Sequence, residues 1–217
     1  MTIDFHTHSI FSDGELLPSE LIRRAEVIGY KAIAITDHAD SSNIDFIIPR
    51  IVNICNELSS ELKIDAIPGI ELTHVPPSII SRLEKKARNF GAKIVIVHGE
   101  TTVEPVMPGT NREALLSNID ILAHPGLITE EEVEIAKDRG IFLEITSRAG
   151  HSLTNGHVAK LATKIGARLV LNTDTHSPED LLTPKKAKFV GMGAGLSENE
   201  FNKIYKNSLE ILERSKI

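Results

Sequence analysis

Seven short aliphatic runs, separated by stretches with helical periodicity, set the tightest limit on how this chain folds. The runs are Thr2–His6, Lys31–Thr36, Ile64–Ile70, Lys93–Val97, Ile119–Ala123, Ile141–Ile145 and Arg168–Asn172. Each has the length and β-branched content of a buried strand. Strands that alternate with helices pair in parallel, because each helix carries the chain back to the same end of the sheet. Helix starts are marked in the intervals. Pro18 suits a first helical position. Thr110-x-x-Glu113, Thr129-x-x-Glu132 and Ser197-x-x-Glu200 match the capping box, and Ser177-Pro178 is a cap followed by a first-turn proline. The 217 residues suit a single domain over 1–217. Two connections, His98–Gly109 and Thr146–Gly156, are long, which is a trait of functional loops.

The runs end in a recurring way. The first leads into Asp4-Phe5-His6-Thr7-His8 and then Ser12-Asp13-Gly14. The second leads into Thr36-Asp37-His38, the third into Gly69-Ile70-Glu71, the fourth into His98 and the fifth into His124-Pro125. The seventh leads into Asp174-Thr175-His176. Side chains alternate along a strand, so positions 4, 6 and 8 share a face, and His6 and His8 can reach one cation together. Any single histidine of this kind is more often a surface or core residue than a ligand. Chance is a poor account of six strand ends that each carry His, Asp or Glu. Active sites of closed parallel barrels gather at the C-terminal strand ends. Such ends converge on one point only when the sheet closes. The expected fold is therefore an α/β barrel of seven βα units rather than an open sheet.

His6, His8, Asp13, His38, Glu71, His98, His124, Asp174 and His176 are too many for one cation, which takes three to five protein ligands, and suit two or three. Mixed imidazole and carboxylate donors favour Zn²⁺, Mn²⁺ or Fe over Ca²⁺ or Mg²⁺. With neutral histidines, only Asp13, Glu71 and Asp174 carry charge in this set. Two or three divalent cations would leave the site positive, as a phosphate requires. The chain's net charge of −6 argues against a surface that tracks a nucleic-acid backbone, without excluding an anionic substrate. Asp4 and Asp37 lie beside ligand positions and are expected to orient imidazoles. Arg148 and His151 follow the sixth run, where a guanidinium can grip a phosphate through two hydrogen bonds. Arg112 sits just inside a helix start, where backbone N–H groups favour anions. The plain alternative for these residues, and for Glu100, is a solvated loop charge. His151 is also a candidate general acid.

Several features are assigned no chemistry. His74 and His157 are placed outside the site. Cys55, the single cysteine, reads as a packed side chain and excludes an intramolecular disulfide. Gly191-Met192-Gly193-Ala194-Gly195 lacks the dinucleotide-binding spacing and reads as a flexible turn. No run is long and apolar enough to span a membrane, and the N-terminus lacks a signal core, so a cytoplasmic protein without a membrane partner is expected. No motif specifies an oligomeric state.

Taken in order, Asp4-x-His6-x-His8, Ser12-Asp13-Gly14, Thr36-Asp37-His38, Gly-Ile-Glu71, His98, His124-Pro125 and Asp174-x-His176 resemble the successive motifs of the PHP family. That family is named for its members among DNA polymerases and histidinol phosphatases. The resemblance spans residues 4 to 176 and implies a distorted (β/α)7 barrel with a trinuclear site. It implies one cation held by His6, His8, Glu71 and Asp174. Glu71 would bridge to a second, completed by His98 and His124, and Asp13, His38 and His176 would hold a third. The implied activity is metal-dependent hydrolysis of a phosphate ester by a metal-bridging hydroxide, with Glu71, Asp174, His176 and Arg148 as the expected catalytic set. A histidinol-phosphatase-like phosphomonoesterase acting on a small phosphorylated metabolite is favoured, on the compact length and the lack of a basic groove. The alternatives are a phosphodiesterase or nuclease acting on nucleotides or nucleic-acid ends, and a non-enzymatic metal-binding regulatory module.

Overall fold

In a computed structural model that describes residues 2–216, seven parallel strands wrap into a nearly closed barrel ringed by helices. The elements in chain order are β1 (Thr2–Asp4), α1 (Pro18–Ile28), β2 (Tyr30–Ile35), β3 (His38–Ala39), α2 (Ile44–Ser59), β4 (Asp65–Leu72), α3 (Ile80–Asn89) and β5 (Ile94–His98). They continue with α4 (Thr110–Leu116), β6 (Ile121–Ala123), α5 (Glu130–Arg139), β7 (Phe142–Thr146), α6 (Asn155–Ile165), β8 (Arg168–Asn172), α7 (Pro184–Gly193) and α8 (Glu198–Ser215). The strands neighbour one another in the order β1-β2-β4-β5-β6-β7-β8. The short β3 continues the path of β2 beside β4, pairing His38 with Glu71. The seam between β8 and β1 is closed by a bridge and side chains rather than by a ladder. Thr7 bridges Thr175, the His8 N–H donates to the Thr175 carbonyl at 2.8 Å, and the Phe5 N–H donates to Asn172 Oδ1 at 2.9 Å.

Period-two alternation both fills the barrel and aims the site. Ile94 and Ile96 belong to the interior cluster, while Val95 and Val97 pack in the outer layer beneath the helices. Ala32 and Ala34 are likewise interior, and Ile33 and Ile35 outer. Ile211 and Leu212 of α8 join the interior cluster, so the last helix stops one end of the barrel. Following the interior parity toward the strand C-termini leads from Ile94 and Ile96 to His98, and from Ile67 and Gly69 to Glu71. On β7 and β8 it leads from Phe142 to Glu144 and from Val170 to Asn172. Gly69 is needed on this path. A Cβ there would lie 2.7 Å from Thr36 Cγ2 and 3.0 Å from the Ile94 carbonyl oxygen, too close for any side chain.

The structure departs from the sequence expectations at several points. β1 ends at Asp4, and the alternation breaks after Phe5, which is interior with Ile3. Asp4, expected to orient an imidazole, bonds no ring nitrogen. Its carboxylate accepts the backbone N–H of His6 and both the N–H and the hydroxyl of Thr173. The capping boxes at Thr129 and Ser197 form. The one expected at Thr110 does not, because Gly109 (φ 93°) caps α4 and Thr110 is already helical. Gly191 and Gly193 lie in the last turn of α7, not in a flexible turn. A Cβ on Gly191 would meet the Phe201 ring at 2.4 Å, so the packing of α7 on α8 requires glycine there. Cys55 is buried in α2. Among the described residues, no helix is long and apolar enough to cross a membrane.

Candidate metal centre

The nine ligand-type residues converge at the C-terminal mouth of the barrel. Asp13, His38, His98, Asp174 and His176 help wall a cavity of about 280 Å³, and His6, His8, Glu71 and His124 are fully buried against it. His8 lies against both His38 and His176, with ring centroids 4.1 and 4.2 Å apart. Glu71 is the hub of the group. Its Oε1 lies 3.3 Å from His6 Nε2 and 3.8 Å from His124 Nε2. Its Oε2 lies 2.6 Å from His38 Nδ1 and 3.9 Å from His8 Nε2. Asp174 Oδ1 lies 3.0 Å from His8 Nε2 and 3.5 Å from His6 Nε2. Asp13 Oδ1 lies 3.4 Å from His38 Nε2 and 3.3 Å from His176 Nε2.

Spacing and bonding together fit metal ligation. Donors about 2.1 Å from a shared tetrahedral cation stand about 3.4 Å apart, as these atoms do. Buried polar atoms ordinarily find hydrogen bonds. Here His6 Nε2, both ring nitrogens of His8, Glu71 Oε1, His124 Nδ1 and Asp174 Oδ1 are buried without one. Of these, His6 Nε2, His8 Nε2, Glu71 Oε1 and Asp174 Oδ1 approach one another closely but out of line for hydrogen bonding. Elsewhere the second ring nitrogen is committed to an acceptor, which leaves Nε2 free to ligate. His6 Nδ1–H donates to Glu144 at 2.8 Å, His98 Nδ1–H to the Gly99 carbonyl at 3.1 Å, and His176 Nδ1–H to the Asp174 carbonyl at 2.9 Å. Divalent cations of the borderline class suit this donor set.

The electrostatics among these side chains are correspondingly extreme. Burial alone would lower the His6 imidazole, but Glu144, Asp174 and Glu71 outweigh it and hold the pKa well above the ordinary value. His8 and His124 move the other way. Burial and the neighbouring His38 bring His8 down to about 4, and burial with His98 holds His124 well below its usual value. Burial opposes ionisation of Glu71 and Asp174, yet the surrounding imidazoles keep both well below the carboxylate range.

Two carboxylates at the site lie outside the set read from sequence. Glu144 is fully buried on β7, with one oxygen on His6 Nδ1 and Asn172 Nδ2 and the other on the His124 backbone N–H. Its signal was present, a charged residue inside the aliphatic run Ile141–Ile145. Glu104 reaches the cavity from the loop between β5 and α4, and nothing in the local sequence marks it.

Other assignments change. Asp37 orients no imidazole; it binds the N–H and hydroxyl groups of Ser9 and Ser12 and so fixes the loop that carries Asp13. His74, expected outside the site, lines the cavity. His157 is outside, its Nε2–H donating to the Ile128 carbonyl at 2.7 Å. His151 is buried and stacks on His124 at 4.2 Å, and with His98 and His124 it forms a group close enough to share a cation. It lines the cavity beside Arg148 as well, so its ring lies both among the ligand-type residues and at the expected substrate space. Arg148 lines the cavity, held by Asp180 at 3.3 Å. Arg112 does not: it is exposed and pairs with Glu131 of α5 at 2.7 Å. Glu100 stitches its own loop, accepting the N–H groups of Gly109 and Asn111.

A nearly closed (β/α)7 barrel with an imidazole and carboxylate cluster at its mouth defines a class of metal-binding α/β barrels. Residues 4–151 match the PHP domain, and the chain belongs to that family. An uncharacterized protein of Methanocaldococcus jannaschii is 52% identical over 217 residues, covering 99% of this chain and all of that one. Ribonuclease P protein component 3 of Methanosarcina barkeri is 28% identical over 213 residues, covering 91% of this chain and 82% of that one. Among solved structures, a chain of archaeal ribonuclease P with mature tRNA superposes with a TM-score of 0.76 at 15% identity, over 99% of this chain and 91% of that one. Histidinol phosphate phosphatase from Lactococcus lactis, complexed with zinc, L-histidinol and phosphate, superposes with a TM-score of 0.62 at 20% identity, over 90% and 94% of the two chains.

Proposed function

We propose that this protein hydrolyses a phosphate monoester of a small metabolite at a centre of two or three divalent cations. His6, His8, Asp13, His38, Glu71, His98, His124, Asp174 and His176 would hold the cations. The observation that carries this reading is the set of buried donor atoms without hydrogen bonds, gathered beneath a cavity that Arg148 also lines. When bound, the cations polarise phosphoryl oxygens and supply hydroxide near neutral pH. The chain does the rest. Its barrel fixes the donor atoms, Glu144 and the backbone carbonyls set the imidazole tautomers, and Arg148 offers a guanidinium to the phosphate. The cavity, about 280 Å³, is near the lower end for small-molecule sites, which favours a compact substrate. Support for the chemistry also comes from the L. lactis phosphatase of the same fold.

The M. barkeri relative favours a second reading, action on or binding to RNA. One experiment separates the two. The protein is loaded with Zn²⁺ or Mn²⁺, its metal content is measured, and a panel of phosphomonoesters, phosphodiesters and short RNAs is assayed. Monoester turnover supports the proposal. Turnover of diesters alone replaces it with the second reading. Metal-loaded protein that turns over nothing removes the enzymatic reading. For Arg148→Ala, KM for the monoester is expected to rise about tenfold with kcat changed far less, since a lost anion contact weakens binding before chemistry. An unchanged KM would take Arg148 out of the phosphate site.

A further inference from the structure

Glu104 turns its carboxylate inward over the cavity. Oε2 lies 3.0 Å from His74 Nε2 and 3.1 Å from His98 Nε2, and Oε1 lies 3.4 Å from His151 Nε2. The loop that presents it is tied at both feet. Asn111 Oδ1 accepts the Glu100 N–H at 3.0 Å, Asn111 Nδ2 donates to the Pro125 carbonyl at 2.9 Å, and Thr101 Oγ1 bonds His151 Nδ1 at 2.8 Å. The loop presses so closely on the turn after β6 that a Cβ on Gly126 would fall 1.8 Å from the Glu100 carbonyl oxygen.

Bonding at His98 bears on what Glu104 does. The Nδ1 proton of His98 is engaged with the Gly99 carbonyl, so Nε2 presents a lone pair toward Glu104 Oε2. Two acceptors 3.1 Å apart repel unless a cation or proton lies between them. The same relation holds between His6 Nε2 and Glu71 Oε1 and between His176 Nε2 and Asp13 Oδ1. A second observation points the same way. Among the described residues, the non-glycine residues with positive φ are His74 (51°), His124 (25°) and Asp174 (55°); His74 and Asp174 line this cavity, and His124 stacks on His151, which does. Left-handed backbone at such residues carries strain that collects at functional sites. His74 uses it to bring its ring to Glu104.

We propose that Glu104 is a further, displaceable ligand of the cation position that includes His98, with His74 as its positioning residue. The inference rests on the reading that the cluster holds cations. Unlike the fully buried Glu71, Glu104 is about one-third exposed, so it can swing outward. A carboxylate and a phosphate oxygen are alternative anionic donors. Glu104 would fill the coordination position in the resting protein and yield it to the substrate.

The test uses full-length protein, stripped with a chelator and titrated with Zn²⁺ against a chromophoric competitor. Inorganic phosphate binding is then measured by calorimetry at saturating Zn²⁺. In Glu104→Gln the weakest Zn²⁺ equivalent should bind about 10- to 100-fold less tightly, while phosphate should bind more tightly because its internal competitor is gone. His74→Ala should weaken the same Zn²⁺ equivalent by less. Zn²⁺ affinities unchanged in Glu104→Gln, or phosphate bound less tightly, would overturn the proposal and leave the nine-residue site standing. Wild-type protein that binds no Zn²⁺ would overturn both.

Discussion

Replacing Glu71 by Ala or Gln is expected to lower kcat/KM on a phosphomonoester by at least about 10³-fold, which corresponds to about 4 kcal/mol. The expectation follows from reach. Glu71 approaches imidazoles that arrive from the segment after β1, from β3 and from the turn after β6, two through each carboxylate oxygen. Asp174 also approaches four imidazoles, but three of them through Oδ1, whereas Glu71 divides its four evenly between its two oxygens. Loss of a terminal ligand weakens one position, whereas loss of a bridge weakens two. Metal analysis of Glu71→Ala should therefore show a deficit of more than one equivalent relative to wild type, together with the loss of turnover. Glu71→Gln preserves volume and separates charge from packing, and it too should be inactive because an amide bridges cations poorly. Activity within tenfold of wild type at full metal content would remove Glu71 from the bridging role.

The barrel and part of the cluster were legible because strand alternation generates both. Ile67-Gly69-Glu71 and Ile94-Ile96-His98 run from core to ligand along one strand face, so hydrophobic periodicity predicts where Glu71 and His98 point, whereas His6, His8 and His124 fall out of phase with interior Phe5 and Ala123 and were legible only from their place at strand ends. Glu144 obeys the same rule, one interior position beyond Phe142, but an acid inside an aliphatic run does not announce which histidine it serves. Glu104 was not legible, because its loop is shaped by contacts far along the chain, such as Asn111 with Pro125 and Thr101 with His151. Arg112 shows the limit of helix-start signals. The helix begins at Thr110 rather than after it, and one residue of shift turns each side chain by about 100°. The side chain then meets Glu131 instead of the cavity.

Glu144→Ala is expected to destabilise the metal-free protein by about 3–5 kcal/mol, the range for breaking a buried charged pair. Three donors lose their acceptor at once. They are His6 Nδ1 and Asn172 Nδ2, each at 2.8 Å, and the His124 N–H at 3.1 Å. All are buried, so bulk water does not reach them in place of the carboxylate. At about 2–4 °C per kcal/mol for a chain of this size, the melting temperature should fall by about 10 °C. Glu144→Gln keeps a carbonyl oxygen for one donor but sets an amide NH₂ against another, so it should recover only part of the loss. The metal-loaded protein adds a second readout. Without Glu144, the His6 proton is no longer held at Nδ1, and Zn²⁺ should bind about 10- to 100-fold less tightly. Melting of the alanine variant within about 2 °C of wild type would refute the assignment. The coupling follows from position. Glu144 joins β7 to β8, to the turn after β6 and to the segment leaving β1, and the seam that nearly closes the barrel runs between that segment and β8. The hydrogen bonds that steady this side of the barrel are the ones that fix the ligating tautomer of His6, so a substitution here changes stability and metal affinity together.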